Sequence, residues 1–283
     1  MSETDKKDLI LQRQVLKEFS QLHRIISEQA GVQVHLFTHE SYHDTPDACF
    51  PNNWFSTHTD LECGECTLVL YPMKVPNRRK ERRPEFLKRM ESFQRYTHVI
   101  DLTRQEKAVK PTFLEGTGSL VLDRINKIGY VVISERSDLS LALKWGKIMQ
   151  YEIVPFHATD SQGRAVYHTN VVMSVGTGVA VLCTECIEDP EERKKVVDRL
   201  HKTGHEIVDI TRDQVNHFCG NVLELENWKG FPVMVMSTQA HNAFTPEQRQ
   251  TMLKFEHELL HAEFSTIERV GGGGVRCAIA ELF

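Results

Sequence analysis

A strand–strand–helix–strand order recurs along this chain at intervals of about 50 residues, and that recurrence constrains the fold more than any single motif does. Alternating or continuous apolar runs predict strands over 32–37 and 67–71, a helix over 83–96 and a strand over 98–102. The order returns with strands over 119–122 and 130–133, a helix over 139–149 and a strand over 151–156. It returns again over 170–175, 178–182, 190–202 and 206–210, and once more over 222–225, 233–236, 246–261 and 264–268. A helix over 9–29, with apolar residues at helical spacing, precedes the series, and a strand over 275–281 would complete an early unit. Equivalent units at this period predict an α/β chain closed into a propeller-like or barrel-like ring. No Pro/Ser-rich linker divides it, so one domain over 1–283 is expected.

The formal net charge of −5 speaks against a nucleic-acid binder that works by neutralising phosphates. No stretch has the roughly 18 consecutive apolar residues of a membrane span. The start of the chain is polar and leads into an amphipathic stretch, not a signal-peptide core. Seven cysteines spread over 283 residues read as reduced thiols, which implies a cytoplasmic protein. The basic residues Arg78, Arg79, Lys80, Arg82 and Arg83 read either as a solvated loop or helix start, or as part of a site.

Four patterns compete to carry chemistry. His257-Glu-Leu-Leu-His261 matches the zinc-protease HExxH spacing, with both histidines on one helix face. A third ligand would have to come from the glutamates after His261, and an exposed charged helix end is the better reading. Cys63–Cys66 and Cys183–Cys186 are CxxC pairs, but they lie too far apart for a local zinc knuckle and read as structural cysteines. The glycines at 271–274 lack the Lys-Ser/Thr of a phosphate loop. They do let the backbone turn tightly just before Cys277, where Arg276 would favour a thiolate. Finally, Phe50-Pro-Asn-Asn-Trp54, Leu114-Glu-Gly-Thr-Gly-Ser119 and Tyr167-His-Thr-Asn-Val171 are polar clusters at equivalent ends of successive units. In a closed repeat those ends converge, so a Cys/His/Glu set could meet there.

These segments resemble the pentein superfamily of guanidino-group-modifying enzymes: arginine deiminases, dimethylarginine hydrolases and amidinotransferases. The motifs fall in family order: an asparagine after a Phe-Pro turn, Leu-Glu-Gly, Ser-Glu-Arg136-Ser, His-x-Asn, and a near-terminal Cys after glycines. DACFPNNWFSTH, YPMKVPNRRKERRPE, FLEGTGSLVLDR, YHTNVVMSVG and GGGGVRCAIAE look like the branch that includes bacterial citrulline hydrolases. The resemblance covers nearly the whole chain and implies a five-bladed α/β propeller that needs no cofactor or metal. It implies Cys277 as nucleophile, His168 as general acid/base and Glu115 as the carboxylate that positions charge on His168. It further implies that Asn53 and Asn170 contact the substrate, and that Arg136, with Arg78 or Arg79, holds a substrate carboxylate.

Asn53 and Asn170 stand where arginine-processing relatives carry aspartate. An amide offers an acceptor and a donor, which suits a neutral ureido group better than a guanidinium. The expected reaction is therefore citrulline to ornithine, carbon dioxide and ammonia through a covalent thiocarbamoyl enzyme. The alternatives are an arginine or methylarginine hydrolase, an amidinotransferase, or a non-catalytic binding pentein. Relatives begin with a further strand before the first helix. Its absence here would leave a blade edge exposed, which a homodimer could cover.

Overall fold

The computed structural model describes residues 3–59, 66–93 and 96–283. Four three-stranded sheets carry the repeat among these residues. They comprise β1 (Phe55–Thr59), β2 (Cys66–Leu70) and β3 (His98–Asp101); β4 (Val121–Asp123), β5 (Ile128–Val132) and β6 (Glu152–Phe156); β7 (Met173–Val175), β8 (Val179–Leu182) and β9 (Glu206–Asp209); and β10 (Leu223–Glu226), β11 (Pro232–Ser237) and β12 (Glu258–Ala262). In every sheet the first two strands pair antiparallel and the last two parallel. A parallel pair needs a crossover. The helices Pro84–Phe93, Leu139–Met149 and Pro190–Lys202 supply it in three sheets, and two short helices, Thr238–Ala243 and Pro246–Met252, do so in the fourth.

The chain forms two compact units. One comprises Phe37–Val172, Glu185–Arg199 and Cys277–Phe283. Trp145, Tyr71, Leu114, Leu120 and Val131 fill one of its cores without solvent exposure, and Trp54, Met73, Phe86 and Met90 fill another. The other unit runs up to Leu36 and takes in Met173–Thr184 and Leu200–Arg276. Its helix Glu3–Arg24 continues into a wider turn over Ile25–Gln29, and Phe19 meets Phe264 edge-on at 5.7 Å.

Several expected elements take a different form. Residues 32–37 carry no strand; the first strand is β1, whose sequence FSTHT is too polar to be recognised although its first four residues are buried. Its polar side chains are satisfied from distant positions: Ser56 Oγ bonds His58 Nε2 at 2.8 Å and the Tyr71 hydroxyl at 2.7 Å, and Thr57 Oγ1 donates to Glu281 O at 2.9 Å. That last bond ties down the chain end, where the expected strand over 275–281 does not form. The helix expected over 246–261 stops at Met252, and β12 follows it. Where a strand over 264–268 was expected, a helix Ser265–Gly271 forms. Its first turn is capped by Glu18, which accepts from Thr266 N at 2.9 Å and Ile267 N at 3.1 Å, a partner far away in sequence.

The HExxH histidines therefore lie on and beside a strand. At about 3.3 Å per residue, His257 and His261 stand roughly 13 Å apart, too far to share one zinc ion. Among the described residues no group of three His, Cys, Asp or Glu side chains could hold a metal. Cys183 and Cys186 are disulfide-bonded, contrary to the expectation of reduced thiols throughout. Cys49, Cys66, Cys219 and Cys277 are free, and Cys63 lies outside the described residues. Among the described residues no helix is long and apolar enough to cross a membrane.

Candidate active site

Asn53, Arg78, Arg79, Glu115, Arg136, His168, Asn170 and Cys277 all lie in the first unit, and Arg276 in the other. Glu115 opens a tight turn over Gly116–Ser119 whose own polar atoms fix it in place. The Glu115 N–H donates to Ser119 Oγ at 2.9 Å, and Ser119 Oγ donates to Arg136 O at 3.0 Å. Gly116 sits at φ +47°, and a Cβ there would fall 2.3 Å from the Asn52 carbonyl oxygen. A Cβ at Gly118 would lie 2.3 Å from Asn53 Nδ2 and 2.9 Å from His168 Nδ1. The two glycines of Leu-Glu-Gly-Thr-Gly-Ser therefore let this turn close onto the Asn52–Asn53 segment and the His168 ring.

Thr169 places its two neighbours. Its hydroxyl donates to Ser119 O at 2.5 Å and accepts from Val132 N at 2.7 Å. With His168 in extended backbone, the residues on either side of Thr169 are presented elsewhere. His168 Nε2 meets Glu115 Oε2 at 2.8 Å, and Asn170 Nδ2 donates to Cys277 Sγ at 3.3 Å. Glu115 and Asn170 are fully buried, and His168 and Cys277 are nearly so.

The electrostatics of the Glu115–His168 pair are one-sided. Burial acts to raise the Glu115 pKa. The His168 hydrogen bond and charge, the Lys74 N–H donating at 2.9 Å, and Arg136 outweigh it and hold the carboxyl down at about 2. Burial lowers the His168 pKa, with Glu115 only partly offsetting it. The resting pair is thus an ionised carboxylate and a neutral imidazole. A carboxylate can only accept, so Nε2 carries the ring proton and Nδ1 presents a lone pair. Nδ1 is the ring nitrogen available for proton transfer.

The arginines divide. Arg136 has a guanidinium nitrogen 3.6 Å from Glu115 Oε2, lies 4.9 Å over the Tyr167 ring and is partly exposed. Tyr167 in turn packs at 4.9 Å against the His168 ring, a contact that nothing in the sequence marked. Arg78 is buried and committed to protein partners. It donates to Glu81 Oε1 at 2.8 Å, Glu81 Oε2 at 3.0 Å, Asn53 Oδ1 at 2.6 Å and Phe50 O at 2.8 Å. Arg79 donates to Met73 O at 2.9 Å and Lys74 O at 3.1 Å, beside the backbone that serves Glu115. Arg82 makes a two-pronged pair with Glu106 at 2.7 and 2.8 Å. The basic run is therefore scaffold at Arg78 and Arg82, with Lys80 and Arg83 pairing near the surface with Asp44 and Glu85. Arg276 is buried, and its backbone N–H donates to Asn221 O at 3.4 Å.

The family model described as N,N dimethylarginine dimethylhydrolase, eukaryotic, matches residues 1–283. The chain belongs to this family. It is thereby an enzyme of the pentein superfamily, a C–N bond hydrolase in a family whose members act on guanidino groups of arginine derivatives. Among curated proteins none matches the chain. Solved structures match it in fold. The N-terminal domain of ArgZ covalently bound to a reaction intermediate is 15% identical, with a TM-score of 0.73 over 96% of this chain and 87% of that one. Apo ArgZ, an arginine dihydrolase from the ornithine-ammonia cycle in cyanobacteria, gives the same identity and TM-score, but this chain spans only 38% of its length. A DDAH variant from Pseudomonas aeruginosa, complexed with citrulline, is 14% identical with a TM-score of 0.63, covering 94% of this chain and 87% of that one.

Proposed function

We propose that this family member hydrolyses the ureido group of citrulline, with Cys277 as nucleophile and His168 as general acid/base. The observation that carries the reading is the pairing in one buried cluster of ionised Glu115 with neutral His168, and of Asn170 with the Cys277 thiol.

His168 Nδ1 takes the Cys277 thiol proton, and the thiolate so formed attacks the ureido carbon. The C–N bond to the terminal NH2 breaks, and the imidazolium returns its proton to that nitrogen, which leaves as ammonia. A thiocarbamoyl enzyme remains, with the carbonyl still bonded to the ornithine nitrogen. Neutral His168 then takes a proton from water as the water attacks this carbonyl, and the sulfur leaves, receiving that proton from the imidazolium. The released carbamate loses carbon dioxide to give ornithine. Glu115 stabilises the imidazolium in both halves. Arg136, partly exposed and held over Tyr167, suits the substrate carboxylate, as does Arg79. Arg78 already donates to Glu81, Asn53 and Phe50 O.

The family match favours a second reading, hydrolysis of arginine or methylarginine. The same proposal takes the chain as one catalytic domain, with the four sheets as blades of a five-bladed ring. Placement in the cytoplasm is also part of it, supported by the four free thiols, although the Cys183–Cys186 disulfide pulls the other way.

Ammonia release from citrulline and from arginine, measured in parallel, tests the reading. Release from citrulline that disappears in Cys277→Ala and in His168→Ala is expected. Release from arginine alone would move the assignment to a deiminase or dihydrolase, and wild-type turnover in either variant would overturn the mechanism.

A further inference from the structure

We propose that Arg78 is a positioning residue that fixes the sense of the Asn53 side-chain amide, so that the site is lined by N–H donors and selects a carbonyl oxygen over a guanidinium nitrogen. The inference rests on the citrulline reading above and gives its selectivity a physical origin.

Asn53 is an amide whose two ends are nearly equal in size and opposite in hydrogen-bonding sense. Which end faces the site is set by what the other end touches. Here that is the Arg78 guanidinium, 2.6 Å away and buried. A guanidinium has donors and no acceptor, so only Oδ1 can face it; the reverse orientation would press two donors together out of reach of water. Arg78 cannot turn away to accommodate that reversal. Glu81 holds it through Nε and one terminal nitrogen, and that terminal nitrogen also donates to Phe50 O.

The consequence falls on Nδ2. It is buried and has no hydrogen-bond partner among the described residues. It and His168 Nδ1 both lie within 3 Å of the point that a Cβ on Gly118 would occupy. The unpaired donor is therefore beside the ring nitrogen that does the proton transfer. The second asparagine also turns its donor inward, with Asn170 Nδ2 directed at Cys277 Sγ. A ureido group brings an oxygen that accepts from such donors. A guanidinium at the same place brings only N–H groups, leaving donors opposed in a buried site. An aspartate at position 53 would reverse this preference. Its second oxygen would take the place of Nδ2 and accept from a guanidinium, while Arg78 would hold the first oxygen as it holds Oδ1 now.

The test is calorimetric binding of citrulline and of arginine to Cys277→Ala, which binds without turning over. The ligands differ only at the reacting group, so the ratio of their Kd values isolates it. Citrulline is expected to bind at least about tenfold tighter. In Cys277→Ala carrying Arg78→Met with Glu81→Met, the buried charge pair is replaced as a unit and neither partner is stranded. Asn53 is then free to turn, and the ratio is expected to fall to within about threefold. Cys277→Ala with Asn53→Asp leaves the scaffold in place and is expected to favour arginine, which keeps the test decisive if the double substitution does not fold. A ratio unchanged in these variants, or an arginine preference with Arg78 and Asn53 intact, overturns the proposal. If the folded parent binds neither ligand, the citrulline reading fails instead. The amide sense is then read without ligand, by scalar coupling across the hydrogen bond from the Arg78 guanidinium nitrogen to Asn53 Cγ; its absence overturns the assignment and its presence upholds it.

Discussion

The Asn170 side-chain nitrogen lies 3.3 Å from the Cys277 sulfur, with Asn170 fully buried and Cys277 nearly so. An N–H aimed at sulfur stabilises the thiolate, the form that attacks carbon. Asn170→Asp would put a negative charge at that place. We expect its Cys277 to react with iodoacetamide about tenfold more slowly at pH 7.5, since one pKa unit corresponds to a tenfold change in thiolate fraction. Equal alkylation rates would show that the contact does not tune the thiol.

Gly118 leaves no room for a side chain beside the candidate site. An added methyl would collide with the Asn53 amide and the His168 ring, both buried and both held by partners. Gly118→Ala is expected to displace Nδ1 and lower kcat by roughly a hundredfold, because sub-ångström misplacement of a reacting group is costly. Overpacking of this kind costs about 1–3 kcal/mol of stability, so the variant should still fold. Thermal unfolding and steady-state kinetics on the same preparation check both halves. Near-normal kcat in a folded variant would mean that the His168 position is not critical.

Glu256 should make stability fall as pH rises. It is buried beside Glu224, and burial followed by that neighbour's charge pushes its carboxyl up to about 9. A pKa raised on folding contributes stability below the ordinary carboxylate value and loses it as pH climbs toward the folded value. Glu256→Gln removes this loss. The variant is expected to match the parent near pH 4.5 and exceed it by on the order of 5 kcal/mol at pH 8, at about 1.4 kcal/mol per pH unit. Denaturant melts at the two pH values measure this, and a gain independent of pH would point to packing instead.

The repeat could be read from the sequence because apolar periodicity is local. Leu139–Met149 and Pro190–Lys202 form over the expected residues, and most strands fall within a residue or two. Two of the failures share a cause. β1 is polar in sequence and buried in structure because Ser56 and Thr57 find partners at Tyr71 and Glu281. The helix Ser265–Gly271 is capped by Glu18. Neither relationship lies within a window that periodicity can scan.

For the site, the sequence by itself determined which residues stand in the family's motifs: Cys277, His168, Glu115, Asn53 and Asn170. Only the tertiary structure decided what each one faces. It committed Arg78, a candidate substrate ligand, to Glu81 and Asn53, left Arg136 over Tyr167 at a partly exposed position, and turned Nε2 of His168 to Glu115 and Nδ1 toward Gly118. Hydrogen-bond direction depends on which donor meets which acceptor across the fold, and a one-dimensional pattern holds no record of that.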